Sequence, residues 1–229
     1  MLKKLTLKKL LFLTLTLLST LNVQAQAYFR ITADFTIKEQ NISGDEFYKG
    51  KVYYDKNIDQ IIYDVTFPTP QKLVVADTQI FVIENETVKS SQYTPNTNQF
   101  SIFNLTLSGD LKNFGLNKTG YTVNSVEEAD GMTIIEWVPP STMTEMLGKT
   151  VLSVKDGQLF GIALFKPDGK LAGKQFFKDY VVSGGLPFPS KIIQITYYND
   201  EEFYKITTFK NIKIDDITNE EKYYSNLID

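Results

Sequence analysis

The sequence predicts a mainly β protein in which one strongly curved antiparallel sheet, or open barrel, carries a single helix against its concave side. The first observation is an alternation of apolar and polar residues, typical of half-buried strands, that recurs along most of the chain. The second is that turns rich in Gly, Asp, Asn and Pro connect these segments, and they are too short for parallel crossovers. The third is a single stretch in which apolar residues recur at helical spacing.

The strand-like alternation begins at residue 29. In residues 29–38 every second side chain is apolar, which predicts a strand with one buried and one wet face. Pro68 and Pro70 end the third predicted strand, because proline removes a ladder donor. Further strands are predicted over residues 47–55, 60–67, 73–76, 80–84, 87–93, 121–126, 132–138, 151–155, 159–165, 171–182, 192–198 and 203–214. Residues 183–187 are predicted to form a loop, and the polar residues 219–229 a loosely held tail.

The helical stretch follows the sixth predicted strand. Its apolar stripe, at steps of three and four residues, consists of Phe100, Phe103, Leu107, Leu111 and Phe114. This spacing predicts one amphipathic helix that is weakened or kinked at Gly109 and ended by Gly115.

The first 25 residues have the pattern of a cleavable secretory signal. A positive start with four Lys precedes the apolar run 10–21, and Val23-Gln24-Ala25 has the small-residue spacing of a cleavage site. We therefore expect a signal peptide over residues 1–25, export to the periplasm, and a single domain over residues 26–229. The alternative is an uncleaved anchor, but the run is shorter than the roughly 20 residues that span a bilayer.

Composition excludes several kinds of chemistry. The sequence has no Cys and no His, which rules out disulfides, thiol nucleophiles, His-based triads and Cys/His metal sites. Without the signal, 20 basic residues stand against 27 acidic ones, a net charge of −7 that argues against nucleic-acid binding. We expect no cofactor and no metal.

Two kinds of catalytic group are open to this chain: Ser–Lys pairs, among which nothing marks one serine above the others, and adjacent carboxylates such as Glu127-Glu128 and Asp215-Asp216. Neighbouring residues on a strand point to opposite faces, whereas acid–base work on a glycoside needs two carboxylates facing one cleft. We therefore expect no enzyme, and a hydrolase using carboxylates remains the alternative.

Three stretches of the chain resemble a known family. They are ADFTIKEQ (33–40), GKVYYDK (50–56) and IIYDVTFPTPQKLVVADTQIFVI (61–83), and they resemble the first half of the LolA-type carriers, which ferry lipoproteins across the periplasm to the outer membrane. Residues 186–216 resemble the broader outer-membrane lipoprotein-sorting proteins. The resemblance implies an incomplete barrel, closed by a helical lid, with a hydrophobic cavity for acyl chains.

The chain departs from the family pattern at three places. No helix precedes the first strand, and Thr78 replaces a turn glycine. The family carries an arginine after the second strand that is thought to hold the lid, but the matching stretch here is Asp55-Lys56-Asn57. The only arginine in this chain is Arg30.

The resemblance implies a monomeric periplasmic carrier that binds the acyl chains of lipoproteins. Its implied partners are an inner-membrane release complex and an outer-membrane receptor. The alternative is a sensor or scaffold of the same fold that binds another amphiphile or a protein. The residues predicted to contact lipid are Ile61, Tyr63, Val65, Phe67, Phe81, Ile83, Phe100, Phe103, Leu107 and Leu111. The competing interpretation is that these side chains simply fill the core.

Overall fold

Thirteen strands make up most of the chain in a computed structural model, which describes residues 27–41, 44–94, 98–198 and 201–225. The predicted signal and its cleavage site lie outside these residues. The strands are β1 (Arg30–Asn41), β2 (Gly44–Asp55), β3 (Gln60–Phe67), β4 (Gln71–Ala76), β5 (Gln79–Glu84), β6 (Thr87–Tyr93), β7 (Thr122–Ala129), β8 (Met132–Val138), β9 (Thr150–Lys155), β10 (Gln158–Phe165), β11 (Leu171–Ser183), β12 (Leu186–Tyr198) and β13 (Glu201–Ile214).

All thirteen strands belong to one curved antiparallel sheet. Their order is β6-β5-β4-β3-β2-β1-β13-β12-β11-β10-β9-β8-β7. Strands that follow one another in sequence are paired, except that β6 and β7 lie at opposite edges of the sheet. The pairing of β1 with β13 joins the two halves. Because β6 and β7 are free edges, the sheet does not close into a barrel, which confirms the predicted fold class.

The sheet buries side chains on both faces. The main core lies on one face and includes Ile31, Ala33 and Phe35 of the alternating first strand. A smaller cluster on the opposite face contains Tyr53, Ile62 and Val74, together with Tyr223 from the C-terminal end. We call the face with the main core the inner face and the other the outer face.

The start of β12 corrects the prediction of a loop over residues 183–187. Only Gly184 and Gly185 turn the chain, and Ser183 already pairs with Leu186. Pro187 and Pro189 lie inside the strand because this stretch pairs only with β11, and the pairing with β13 begins at Lys191. A proline without a donor is tolerated where one side of the strand has no partner.

The C-terminal tail also differs from its prediction. Glu220–Tyr223 forms a 3₁₀ helix, and the ring of Tyr223 is buried edge-on against Tyr53, 5.4 Å between centroids. The backbone N–H of Ser225 donates to the Gln60 side chain at 3.0 Å. Residues 219–225 are therefore part of the outer-face cluster.

The predicted helix over residues 100–114 is wrong in its continuity. The α-helix, α1, spans only Ile102–Leu107, and short 3₁₀ turns lie at Asn98–Phe100, Leu111–Asn113 and Leu116–Lys118. The helix stops because Gly109 takes a φ of +70°, in the left-handed region that glycine adopts without steric penalty. No helix in the described part of the chain is long and apolar enough to cross a membrane.

Candidate functional site

Residues 98–118, which we call the lid segment, cover part of the inner face. Ser101 caps α1, its hydroxyl accepting a hydrogen bond from the backbone N–H of Asn104 at 3.2 Å. Ile102, Phe103, Leu105, Leu107, Leu111 and Leu116 of this segment are all buried in the main core. The lid segment, which is one short α-helix with 3₁₀ turns around it, thus lies with its apolar side chains against the apolar inner face of the sheet.

Aromatic rings fix the lid segment to the sheet. The Phe103 ring stacks on Tyr54 of β2, with 5.9 Å between centroids. It also meets Phe209 of β13 edge-on at 5.6 Å and Phe188 of β12 at 6.2 Å. At the other end of the segment, Phe114 lies 6.1 Å from Phe177 of β11.

Two hydrogen bonds add to these apolar contacts. The Asn98 side-chain amide donates to the backbone carbonyl of Asp59 at 2.8 Å, and the Tyr54 hydroxyl donates to the Asn104 side chain at 3.3 Å. Burial raises the pKa of Tyr54 well above its usual value, so this hydroxyl keeps its proton. The lid is held to the sheet by packing and by neutral hydrogen bonds.

Arg30 lies elsewhere and does not hold the lid. Its Nε donates to the buried Asp55 carboxylate at 2.6 Å, and its terminal nitrogens reach Glu220 at 3.1 Å. Its guanidinium also lies over the rings of Tyr223 and Tyr224, 5.0 and 5.6 Å from their centroids. Arg30 therefore joins Asp55, at the end of β2, to Glu220 of the C-terminal 3₁₀ helix.

Most of the predicted lipid-contact residues come together on the inner face. Ile61, Val65, Phe103, Leu107 and Leu111 are buried in the main core, Tyr63 packs against it, and Phe100 is half-buried and stacks on Phe114 at 5.8 Å. In this structure these side chains contact one another and the sheet. Whether they bind lipid stays a prediction.

Phe67 does not join this group. The β2–β3 register shifts by one residue, so that Val65 pairs with Gly50 whereas Phe67 pairs with Lys49. The extra residue on β3 turns Phe67 away from the face of Val65. Its ring is 44% exposed and lies 5.7 Å from Phe47. The expectation that Phe67 faces the interior is therefore wrong.

Phe81 and Ile83 also lie on the wrong face for the predicted cavity. Phe81 pairs with Val74, which pairs with Ile62, and all three belong to the outer-face cluster or pack on it. Ile83 packs against the same cluster. The inner-face residues of β5 are instead Ile80 and Val82, because residues opposite one another in a ladder share a face.

Sequence reasoning missed the aromatic seat of the lid. Tyr54, Phe177, Phe188 and Phe209 are all buried and contact the lid segment. Tyr54 belongs to β2, whereas the other three belong to β11, β12 and β13, more than 100 residues later in the chain. Alternation within β2 and β13 could have placed Tyr54 and Phe209 on a buried face. It could not have placed them beneath the helix.

Apolar side chains remain exposed on the inner face towards the β7 edge. Val123 is 49% exposed and Leu164 is 44% exposed. Val123 pairs with Trp137, Trp137 with Thr150, and Thr150 with Leu164, so they form one row across four strands. Since Trp137 belongs to the main core, the whole row lies on the inner face.

The paired carboxylates serve local structure. Asp215 accepts the backbone N–H groups of Phe29 and Arg30 at 2.9 Å. Hydrogen bonds from Thr218 and Lys213 lower the pKa of Asp216 to about 2. Among the described residues, no three His, Cys, Asp or Glu side chains are grouped so that they could hold a metal ion.

Comparison with known proteins supports the fold. No protein-family model matches the sequence, and no curated protein matches it. A LolA superfamily protein from Nitrosomonas europaea matches 89% of this chain and 93% of its own, with a TM-score of 0.55 and 13% identity. A DUF1329 family protein from Desulfovibrio piger matches 90% and 94%, with a TM-score of 0.61 and 14% identity.

A third solved structure is similar in the same way. An outer membrane lipoprotein-sorting protein domain from Vibrio parahaemolyticus matches 87% of this chain and 91% of its own, with a TM-score of 0.59 and 10% identity. At such identities the likeness shows the fold alone. The chain has a LolA-like fold, as the sequence resemblance implied.

Proposed function

We propose that this chain is a periplasmic carrier that binds the acyl chains of lipoproteins on its inner face and catalyses no reaction. The observation that carries the proposal is the lid segment, an apolar cover seated on Tyr54, Phe188 and Phe209. Displacing this cover exposes an aromatic and aliphatic surface on a sheet that is open at both edges. Such a surface suits a guest made of hydrocarbon.

The fold and the N-terminal pattern support the location and the cargo. Two of the similar solved structures are a LolA superfamily protein and an outer membrane lipoprotein-sorting domain. The signal pattern of residues 1–25 directs the chain out of the cytoplasm. A release complex at the inner membrane and a receptor at the outer membrane are the proposed partners of a monomer.

The close packing of the lid segment on the sheet favours one alternative function, that of a sensor or scaffold. Phe103 fills the space between the lid and the sheet, so a guest must drive the lid away. A sensor or scaffold that keeps its lid closed until another amphiphile or a protein partner arrives would use the same surface.

A covalent lock on the lid tests the proposal. The Asn98 side chain reaches the Asp59 backbone, and the chain has no cysteine, so Asp59→Cys with Asn98→Cys gives a unique pair for a disulfide. The matched control is Asp110→Cys with Lys118→Cys, which joins two residues of the lid to each other. We expect the first lock to abolish capture of an acylated peptide and its reduction to restore capture.

Native mass spectrometry of protein purified from the periplasm identifies the guest. Bound acylated peptide supports the carrier, whereas a different amphiphile supports the alternative. Equal capture by the locked, reduced and control proteins would refute binding beneath the lid.

A further inference from the structure

The indole of Trp137 carries a buried hydrogen-bond donor without an acceptor. Trp137 is 8% exposed, and its Nε1–H has no hydrogen-bond partner among the described residues. A buried donor that has lost its water and gained no acceptor is destabilising, so such groups are uncommon in native proteins and need an explanation.

The neighbouring polar groups satisfy one another. Thr150 lies directly opposite Trp137 on β9 and is hydrogen bonded to Tyr121. The Tyr121 hydroxyl donates in turn to the backbone carbonyl of Gly148 at 3.0 Å. Of these neighbouring polar groups, only the indole N–H has no hydrogen-bond partner among the described residues.

The position of Trp137 places the donor beside accessible apolar surface. Val123 flanks it on β7, and Leu164 lies two strands away in the same row on β10. Both are nearly half-exposed although they belong to the inner face. A chain of methylene groups lying along this row would cover Val123 and Leu164 and pass over the indole.

The lid segment buries a second unpaired polar atom. Thr106 of α1 is buried, and its hydroxyl oxygen has no partner among the described residues. The sheet and the lid thus each hold one unpaired polar group on the side where the proposed guest binds. A pure hydrocarbon guest would leave both unpaired.

We infer that the Trp137 Nε1–H donates a hydrogen bond to the carbonyl oxygen of a bound acyl group. The guests are then acyl esters and amides, which the site distinguishes from ether-linked or plain hydrocarbon chains. The carbonyl at the head of an acyl chain is the one strong acceptor adjoining its apolar carbons, and it matches a lone donor in an apolar row. This inference rests on the proposed function.

The test compares two ligands that differ only in the carbonyl. Lauroyl lysophosphatidylcholine and its dodecyl ether analogue are titrated below micelle formation into the mature protein and into Trp137→Phe, which keeps an aromatic ring but has no N–H. We expect the parent to bind the ester about two- to tenfold more tightly than the ether, the range of one net hydrogen bond, and Trp137→Phe to bind both equally.

The single tryptophan gives a readout that does not depend on the variant. The protein has one indole N–H, so its ¹⁵N-labelled form gives one indole signal, which should move downfield with the ester and not with the ether. Equal affinity of the parent for both ligands, or an ester preference that persists in Trp137→Phe, overturns the inference and leaves the carrier standing. Binding of neither ligand to the parent overturns the proposed function as well.

Discussion

The ring of Phe103 in the lid segment lies 5.9 Å from the ring of Tyr54 on β2, with the two planes inclined by 29°. This stacked pair joins the lid to β2, which is two strands from the central strand β13. Phe188 of β12 and Phe209 of β13 also contact the Phe103 ring, so one lid side chain touches three strands. Two of them, β12 and β13, are adjacent, and β1 separates β13 from β2. Under the proposed function, the stability of the fold and the access of a guest are therefore coupled through Phe103.

Phe103→Ala should weaken the fold and tighten guest binding. Removing a buried Phe lowers the free energy of unfolding by about 3–5 kcal/mol, measured by urea denaturation. Apparent affinity for a fluorescent fatty acid should rise because the lid opens more easily. Phe67→Ala is the control, since this exposed ring should change the free energy of unfolding by about 1 kcal/mol or less. Weaker binding by Phe103→Ala would show instead that the loss of a direct contact between Phe103 and the guest, as the sequence predicts, outweighs the easier opening of the lid.

Arg30→Met should be strongly destabilising. The substitution leaves the buried carboxylate of Asp55 without its cation, which costs about 3–5 kcal/mol of unfolding free energy. Lys213→Met is the matched control, because it breaks a pair in which the lysine is well exposed and should cost less than about 1 kcal/mol. Similar urea midpoints for the two variants would show that the Arg30 network contributes no more than a surface pair.

Truncation after Thr218 should uncover the outer-face cluster. Tyr223 covers Tyr53, Ile62 and Val74, so losing it exposes an apolar patch across three adjacent strands. We expect the truncated protein to bind an apolar dye and to self-associate on size-exclusion chromatography. The control is Tyr224→Phe, which keeps the segment. An unchanged elution volume and dye signal would restore the prediction of a loose tail.

Stability should fall at alkaline pH, partly through Tyr63. Burial raises the pKa of Tyr63 to about 12, whereas a tyrosine in the unfolded chain ionises near pH 10. Between about pH 10 and pH 12 the unfolded state has lost a proton that the folded state keeps, so the free energy of unfolding falls as the pH rises through this window. Below about pH 10 the contribution is complete.

In Tyr63→Phe the free energy of unfolding should fall less steeply with pH, because folding then involves up to one fewer bound proton in this window. Urea denaturation at a series of pH values measures the slope directly. Burial also raises the pKa of Tyr54 and Tyr180, so a residual slope is expected in the variant. A slope identical to the parent would show that the Tyr63 hydroxyl stays hydrated in the folded protein.

Local pattern predicted the strands well because alternation and turn residues act over short distances. The bounds of β3 and β8 match their predictions, since each lies between turns or prolines. The lid failed because period alone cannot show that Gly109 takes a left-handed conformation and ends α1 early. The prediction of a loop over residues 183–187 is wrong because a strand accommodates prolines only where one of its sides has no partner, and the sequence alone does not show that β13 leaves this part of β12 unpaired.

Deciding which face of a strand points to the inner side of the sheet requires its register with the neighbouring strands, which the sequence of one strand does not contain. The two-residue turn between Ala76 and Gln79 fixes Val82 opposite Leu73, and it could have been counted from the sequence. Relating Leu73 to Tyr63 requires the register across the proline-rich connection, which the pattern does not specify. The error at Phe81 and Ile83 follows from that gap, since both faces of these strands are apolar.

The place of β1 between β2 and β13 sets the order in which the chain can fold. Ribosomal synthesis delivers β1 before the other strands and β13 after them. Until residues 201–214 emerge, one long edge of β1 has no partner, and Ile31 and Phe35 lack much of their cover. An unpaired apolar edge invites aggregation, and pairing across almost the whole chain is slow. The sheet can therefore be completed only after β13 has been synthesised. Until then the unpaired edge of β1 is a binding site for a chaperone.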